Sequence, residues 1–247
     1  MHPIVGVLEL GEASVPIGSY GLFAAAGVLV AGGLATRAAW RAGLDVGLVL
    51  AAIALTIGFG FTGAWATFAA VETLRTGSID WLANGGGLVF FGALPGGALG
   101  LWVARRWLKL DVLRGLELAL PGVAAAHALG RIGCFFGGCC YGRPFDGAWA
   151  VVYPGPGAAP RHPTPLYESA GLLALAFAFA LSPPRRPGSG QRAAAYVAGY
   201  CALRLLTELF RGDLVRGVVA GVSTSQAIAA VGLLLAAFAG RRLAQQS

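Results

Sequence analysis

Charged side chains are scarce in this sequence, where they make up 12% of 247 residues and lysine occurs once, at Lys109. Soluble domains average about 25% charged residues. Hydrophobic residues reach 57%, and the mean hydropathy is +0.71. This composition excludes a soluble globular domain and a disordered chain. The 39 glycines follow no period of three, which excludes collagen. The chain therefore has the composition of a polytopic membrane protein.

Cysteines and familiar binding motifs are also few. Three of the four cysteines lie within 134–140, so they form no disulfide framework and do not reveal a compartment. The sequence contains no P-loop, and we predict no cofactor. The net charge is +7, yet the arginines lie between apolar runs and no nucleic-acid-binding motif accompanies them. The N-terminal stretch carries Glu9 and Glu12 without a basic region, unlike a cleaved signal peptide.

Seven apolar runs are each about long enough to cross a 30 Å hydrocarbon layer as a helix. They cover 18–40, 45–71, 84–103, 113–132, 165–181, 192–210 and 218–239. We therefore predict an all-α, polytopic membrane protein with one transmembrane domain over 1–247. The fourth run is shorter and ends in a stretch rich in glycine and cysteine, so a re-entrant segment is an alternative there.

Basic residues in the loops predict the orientation. Alternate loops and the C-terminal tail hold eleven of the eighteen basic residues. These are Arg37, Arg41, Arg105, Arg106, Lys109, Arg114, Arg185, Arg186, Arg192, Arg241 and Arg242. Because basic loops favour the cytoplasmic side, the N-terminus is predicted outside and the C-terminus in the cytoplasm.

Two groups of polar residues do not belong in lipid. Arg131 lies at the end of the fourth run, where a charge at the bilayer centre would cost at least about 2.5–3.5 kcal/mol. It is either an arginine reaching the interface or a clamp for a phosphate or carboxylate. In the sixth run Arg204, Glu208 and Arg211 have i, i+4, i+7 spacing and share one helix face. They either lock the helix or face a ligand.

A third group lies at the start of the fifth run. Its members Arg161, His162, Tyr167 and Glu168 could cap the helix or bind a ligand.

The cysteines allow several interpretations. The spacing H-x6-C-x4-C-C is not usual for zinc, so we predict no metal. A Cys134–Cys139 or Cys134–Cys140 disulfide, a nucleophilic thiolate activated by nearby arginines, and tight apolar packing all stay open.

Three motifs, at 130–142, 161–168 and 199–213, resemble those of the prolipoprotein diacylglyceryl transferases. Tyr20, Gly85 to Gly87 and the Ser225-Gln226 pair also match in order and spacing. The resemblance implies a seven-span protein of the bacterial inner membrane. It further implies transfer of a diacylglyceryl group from phosphatidylglycerol to a lipoprotein cysteine, with release of glycerol phosphate. Arg131 and Arg204 match the arginines thought to hold the lipid head group.

The chain departs from the family pattern at four positions. The family's histidine near the third span falls on Phe91, and its polar residues near the signature arginine fall on Cys134, Gly137 and Cys139. His127, one helical turn before Arg131, could replace the missing base or be a core histidine. These departures motivate a second hypothesis, a thiol-dependent redox or small-molecule-modifying enzyme. A non-catalytic lipid-binding or transport protein is a third.

The main prediction is a phospholipid-dependent transferase that acts as a monomer. Its partners are an anionic membrane phospholipid and a thiol-bearing acceptor such as a prolipoprotein, and nucleic acid is excluded. The predicted catalytic residues are Arg131, Arg204, His127, Cys134, Cys139 and Cys140. The predicted substrate-binding residues are Tyr20, Arg143, Arg161, His162, Tyr167, Glu168, Tyr200, Glu208 and Arg211.

Overall fold

The computed structural model of the chain describes residues 3–10, 13–80, 87–153, 158–184, 186–212, 218–219 and 222–245. These residues form seven α-helices. The helices are α1 (Ser19–Arg41), α2 (Val46–Thr76), α3 (Phe90–Trp107), α4 (Val112–Phe136), α5 (Thr164–Leu181), α6 (Gln191–Glu208) and α7 (Thr224–Gln245). The prediction of a mostly helical protein is confirmed. Helices α1, α2, α4, α5 and α7 are long and apolar enough to cross a membrane.

Several positions used in the sequence analysis lie outside the described residues. They are Glu12, Gly85, Gly86, Arg185 and Asp213, together with the start of the third predicted span. The backbone of Phe91 belongs to α3, but its side chain lies outside the description.

Three antiparallel hairpins accompany the helices among the described residues, and none of them is predicted from the sequence. They pair β1 (Ile4–Leu10) with β2 (Ala13–Gly18), β3 (Val151–Val152) with β4 (Pro160–Arg161), and β5 (Val218–Val219) with β6 (Val222–Ser223). Four of the six strands are two residues long, too short to show a period in the sequence.

The predicted start of the seventh run at Val218 is wrong, because β5 and β6 occupy that stretch and α7 begins at Thr224. Ser223 and Gln226 explain this boundary. The hydroxyl of Ser223 accepts a hydrogen bond from the Gln226 amide at 3.1 Å. The Gln226 side-chain oxygen accepts one from the Ser223 amide at 3.0 Å. This reciprocal pair is a capping box, which fixes where a helix begins.

The expectation that the fourth run is short is also wrong. Helix α4 contains 25 residues and continues through Phe136, past the signature arginine. At about 1.5 Å per residue, this length suffices to cross the hydrocarbon layer.

The chain divides into two compact units. The smaller unit covers Thr36–Gly115 and the larger unit covers Met1–Ala35 with Leu116–Ser247. In the smaller unit α2 packs closely on α3, and a Cβ atom at Gly100 would lie 2.7 Å from the carbonyl oxygen of Leu55. Small residues permit such close contact between membrane helices. The single transmembrane domain stays a prediction.

Close packing in the larger unit positions the end of α4. A Cβ atom at Gly27 of α1 would lie 2.9 Å from the carbonyl oxygen of Ala126 of α4. Near the end of α4, a Cβ atom at Gly133 would lie 3.0 Å from the Cβ of Phe23. These glycines let the backbones of α1 and α4 approach. Arg131 lies on α4 between these two contacts.

Candidate functional site

A buried carboxylate lies at the centre of the candidate site. The side chain of Glu168, from the second turn of α5, is 1% exposed. Its Oε1 lies 3.1 Å from Nε of Arg131 on α4. Its Oε2 lies 3.7 Å from Nη1 of Arg204 on α6 and 3.9 Å from Nη1 of Arg211, just beyond α6. The Tyr200 hydroxyl donates to Oε1 at 3.4 Å. Two predicted catalytic arginines from separate helices thus meet at one carboxylate.

A second carboxylate extends this group. Glu208 Oε2 lies 2.8 Å from Nη2 of Arg204, and Glu208 Oε1 accepts a hydrogen bond from the Ser223 hydroxyl at 2.7 Å. We call Arg131, Arg204, Arg211, Glu168 and Glu208 the arginine cluster. Three guanidinium groups against two carboxylates give these five residues a formal charge of +1. Because charge is costly to bury without a partner, these ion pairs are what allows the three guanidinium groups to lie together.

Two of the arginines retain unused donors. Nε of Arg131 and Nη1 of Arg204 are buried and have no hydrogen-bond partner among the described residues, although each lies near Glu168. A buried donor without an acceptor costs about 1–3 kcal/mol. Arg131 is the most accessible arginine of the cluster, with a side chain that is 19% exposed. An incoming oxyanion could use these donors, because guanidinium groups match phosphate and carboxylate oxygens.

The predicted base, His127, lies next to the arginine cluster. Its ring centroid is 4.9 Å from that of Tyr200, and the Tyr200 hydroxyl reaches Glu168. His127 therefore contacts the arginine cluster through a tyrosine, and its catalytic role stays a prediction.

Tyr20 lies elsewhere, at the start of α1. Its backbone packs against Gly133 and its side chain is exposed.

The cysteines after Arg131 form a compact group of thiols. The sulfur atoms of Cys134, Cys139 and Cys140 all lie within 4.8 Å of one another, and all three are free thiols. We call these residues the thiol cluster. Nη1 of Arg131 donates to Sγ of Cys140 at 3.9 Å. Hydrogen bonds from Cys134 and Cys139, with the charges of Arg211 and Arg131, lower the pKa of the Cys140 thiol. Arg131 thus connects the thiol cluster to the arginine cluster.

Backbone hydrogen bonds join the three long motifs. The amide of Gly142 donates to the His162 carbonyl and the amide of Arg143 donates to the Phe210 carbonyl, both at 2.9 Å. A Cβ atom at Gly142 would lie 2.5 Å from Cβ of His162 and 2.6 Å from the carbonyl oxygen of Phe210. Only glycine fits this crossing. The motifs at 130–142, 161–168 and 199–213 therefore meet in space where they are described.

Several predicted substrate-binding residues belong to a group of aromatic rings and arginines instead of contacting Glu168. We call this group the aromatic layer; its members are Tyr141, Arg143, Phe145, Arg161, His162, Tyr167 and Phe210. The His162 ring stacks on Phe145 with centroids 4.0 Å apart, and its Nδ1 lies 3.0 Å from the Tyr167 hydroxyl. The guanidinium of Arg161 lies 5.0 Å from the ring centroid of Tyr141. Burial, together with the charge of Arg143, lowers the pKa of His162.

Ser223 is not among the predicted site residues, yet its hydroxyl joins the arginine cluster through Glu208. The S-x-x-Q spacing of Ser223 and Gln226 is the signal that could have revealed it, since it predicts a capping box. The central position of Glu168 was also missed, because the sequence places it in a different motif from each arginine that it contacts.

The fold and this site define a class: a multi-pass helical membrane protein with a buried cationic site suited to an oxyanion. The chain belongs to the prolipoprotein diacylglyceryl transferase family, whose sequence profile matches residues 7–240. The predicted resemblance is therefore confirmed.

Individual relatives agree with this assignment. A phosphatidylglycerol–prolipoprotein diacylglyceryl transferase from Clostridium tetani is 37% identical over 62% of this chain, which spans 63% of that relative's length. The enzyme named phosphatidylglycerol–prolipoprotein diacylglyceryl transferase 2 from Clostridium perfringens is 30% identical over 90% of this chain and 89% of its own. A third relative, from Frankia alni, has the same name as the Clostridium tetani enzyme. It is 34% identical over 97% of this chain and 67% of the relative's length. None of these names supports the alternative of a redox enzyme.

Proposed function

We propose that this chain transfers a diacylglyceryl group from phosphatidylglycerol to the cysteine thiol of a prolipoprotein. The observation that carries the proposal is the convergence of Arg131 and Arg204, from separate helices, on one buried position with unused donors. The names of the relatives support the same substrates.

The arginine cluster suits the leaving group of this reaction. The acceptor thiolate attacks the glycerol carbon of the diacylglyceryl group, so an S–C bond forms and the C–O bond to phosphate breaks. The electron pair of that bond leaves with glycerol phosphate, which gains negative charge. Arg131 and Arg204 stabilise this charge through preorganised donors, and Glu168 holds the two guanidinium groups in position.

The remaining predicted residues have supporting roles in this scheme. His127 is the proposed base for the acceptor thiol, adjacent to the arginine cluster through Tyr200. Tyr20 and the aromatic layer contribute to substrate binding at the ends of the helices. The residues of that layer with predicted binding roles are Arg143, Arg161, His162 and Tyr167.

The membrane arrangement belongs to the same proposal. All seven helices cross the bacterial inner membrane as one domain, with the N-terminus outside and the C-terminus in the cytoplasm, and the protein acts as a monomer. The seven helices and the distribution of basic residues support this arrangement. Near the end of α6, Arg204 and Glu208 pair with each other in the arginine cluster.

Lipid transfer by the purified protein tests the proposal directly. The chain in detergent is mixed with phosphatidylglycerol and a peptide that carries the acceptor cysteine, and mass spectrometry follows the modified peptide. We expect product formation that is lost in Arg131→Ala and in Arg204→Ala. Arg75→Ala is the matched control, because Arg75 is an exposed arginine paired with Glu72 in the smaller unit. Full activity in both cluster variants would refute the arginine clamp.

A further inference from the structure

The three sulfur atoms of the thiol cluster have a spacing that suits a metal ion. Its three sulfur atoms lie within 4.8 Å of one another. Zinc–sulfur bonds of about 2.3 Å in tetrahedral geometry place pairs of sulfur ligands about 4 Å apart. Small side-chain adjustments would therefore bring all three sulfurs into metal-binding positions. The spacing in the sequence argued against zinc, but it could not show that the chain folds back at Gly138 to bring Cys139 and Cys140 toward Cys134.

The surrounding residues hold this arrangement. Cys140 has a left-handed backbone with φ of 60°, which is uncommon for a residue other than glycine. The Thr164 hydroxyl donates to the Cys140 carbonyl at 2.6 Å and fixes that backbone against α5. Such outer contacts orient the ligands in protein metal sites.

Charge and ligand number favour a metal over a disulfide. A disulfide would join two of the sulfurs and leave the third unused, whereas a metal ion engages all three. Three thiolates around Zn²⁺ carry a net charge of −1, and Arg131 lies 3.9 Å from the Cys140 sulfur to offset it. Three protein ligands also leave one coordination position open, as in catalytic zinc sites.

We propose that Cys134, Cys139 and Cys140 bind Zn²⁺ as three thiolates, and that the acceptor thiol takes the fourth coordination position. The first part stands on the geometry of the thiol cluster alone, and the second rests on the proposed function. The three protein thiols release their protons to solvent, which Cys139 reaches as an exposed residue. On coordination the acceptor thiol passes its own proton to His127, the proposed base, because metal-bound thiols are deprotonated.

This site would supply the nucleophile beside the arginine cluster. The coordinated acceptor sulfur attacks the glycerol carbon, the new S–C bond turns it into a weakly bound thioether, and glycerol phosphate leaves with the electron pair of the broken C–O bond. Zinc neither gains nor loses electrons, so no oxidant or reductant is needed. Arg131 contacts both clusters, which places the nucleophile next to the leaving group.

Zinc content and cobalt substitution test the site without lipid. The full chain is purified in detergent under reducing conditions, depleted of metal, and titrated with Zn²⁺ and with Co²⁺. We expect one ion bound per chain and an intense thiolate-to-cobalt charge-transfer band. Cys139→Ser should weaken binding by more than the roughly 10–100-fold that loss of an outer contact costs. Cys201→Ser is the matched control, since this buried cysteine lies on α6 against Gly232 and outside the thiol cluster.

Three results would overturn the site: no bound ion in the reduced wild-type chain, equal affinity in Cys139→Ser, or a disulfide within the thiol cluster of the chain isolated without reductant. Because Cys139 is exposed, its replacement tests the ligand set with little risk to folding. Cys140→Ser provides an independent second variant.

The fourth position is tested by adding acceptor peptide to the cobalt-loaded chain. A peptide with the acceptor cysteine should change the cobalt absorption bands, and the same peptide with serine should not. An unchanged spectrum with the cysteine peptide would overturn the second part of the proposal. A spectral change without lipid transfer would refute the proposed function while the site stands. Full transfer activity in the zinc-free chain would refute the catalytic use of zinc alone.

Discussion

The larger unit buries two glutamates, Glu117 and Glu168, to the same extent, with 0% and 1% exposure. Their partners are entirely different. Glu117 of α4 accepts hydrogen bonds from the backbone amides of Gly188 at 2.7 Å and Arg192 at 3.1 Å. It thereby caps the first turn of α6 from a neighbouring helix. Glu168 instead faces the side chains of Arg131, Arg204 and Arg211.

This difference separates a structural carboxylate from one in a binding site. Backbone amides at a helix start have fixed positions, so Glu117 satisfies donors that the fold itself creates. Guanidinium groups have more donors than one carboxylate can engage, and at Glu168 two of these donors stay unused among the described residues. Equal burial therefore does not mean equal function. What distinguishes the two sites is the kind of partner that each carboxylate has: fixed backbone amides at Glu117, and guanidinium groups from three side chains at Glu168.

The strongest test of this comparison replaces Glu168 by glutamine. Without the central negative charge, the three guanidinium groups repel one another and lose their shared anchor. We expect transfer activity to fall by about 10²-fold or more, as when a preorganised charge-stabilising contact is lost. The measurement is the peptide lipidation rate at saturating phosphatidylglycerol. Activity within twofold of wild type would show that Glu168 is structural, as Glu117 is.

The matching replacement at Glu117 should affect stability instead. Glu117→Gln keeps one acceptor oxygen but weakens the cap of α6, at a cost of about 1–3 kcal/mol. We expect a lower melting temperature in detergent, with transfer activity per folded molecule unchanged. Intrinsic fluorescence on heating checks stability, and the lipidation assay checks activity. A loss of activity in the correctly folded fraction would contradict the distinction between the two glutamates.

The sequence predicts the helices better than the partners of the polar side chains. Long apolar runs indicate seven helices because lipid requires an unbroken apolar stretch, and this requirement does not depend on distant residues. The ion pairs of Glu168 join three motifs that are far apart in the sequence, and no local period reports such contacts. The i, i+4 pair of Arg204 and Glu208 lies on one helix and was predicted correctly as a shared face.

Ser223 offers a smaller test, because this residue both stabilises the fold and contacts the arginine cluster. It caps α7 through Gln226 and donates to Glu208 of the arginine cluster. Ser223→Ala should cost about 0.5–2 kcal/mol of stability through the lost cap. It should also weaken phosphatidylglycerol binding, since Glu208 would compete more strongly for Arg204. Ser223→Thr retains the hydroxyl and is the control. An unchanged KM for the lipid in Ser223→Ala would confine this residue to capping.

The smallest expected effect concerns how the stability of the fold depends on pH, through the buried His162 of the aromatic layer. The side chain of His162 has a lowered pKa because burial, and then the charge of Arg143, disfavours its protonated form. The unfolded chain therefore binds this proton first, and folding stability falls as the pH drops below the ordinary histidine pKa of about 6.5. His162→Phe preserves the ring that stacks on Phe145 and should flatten the pH dependence of the melting temperature between about pH 7.5 and about pH 5.5. Glu117→Gln should keep the wild-type slope in this range, because it leaves His162 intact. If His162→Phe keeps that slope as well, another group titrates, and the aromatic layer does not contribute to the acid sensitivity of the fold.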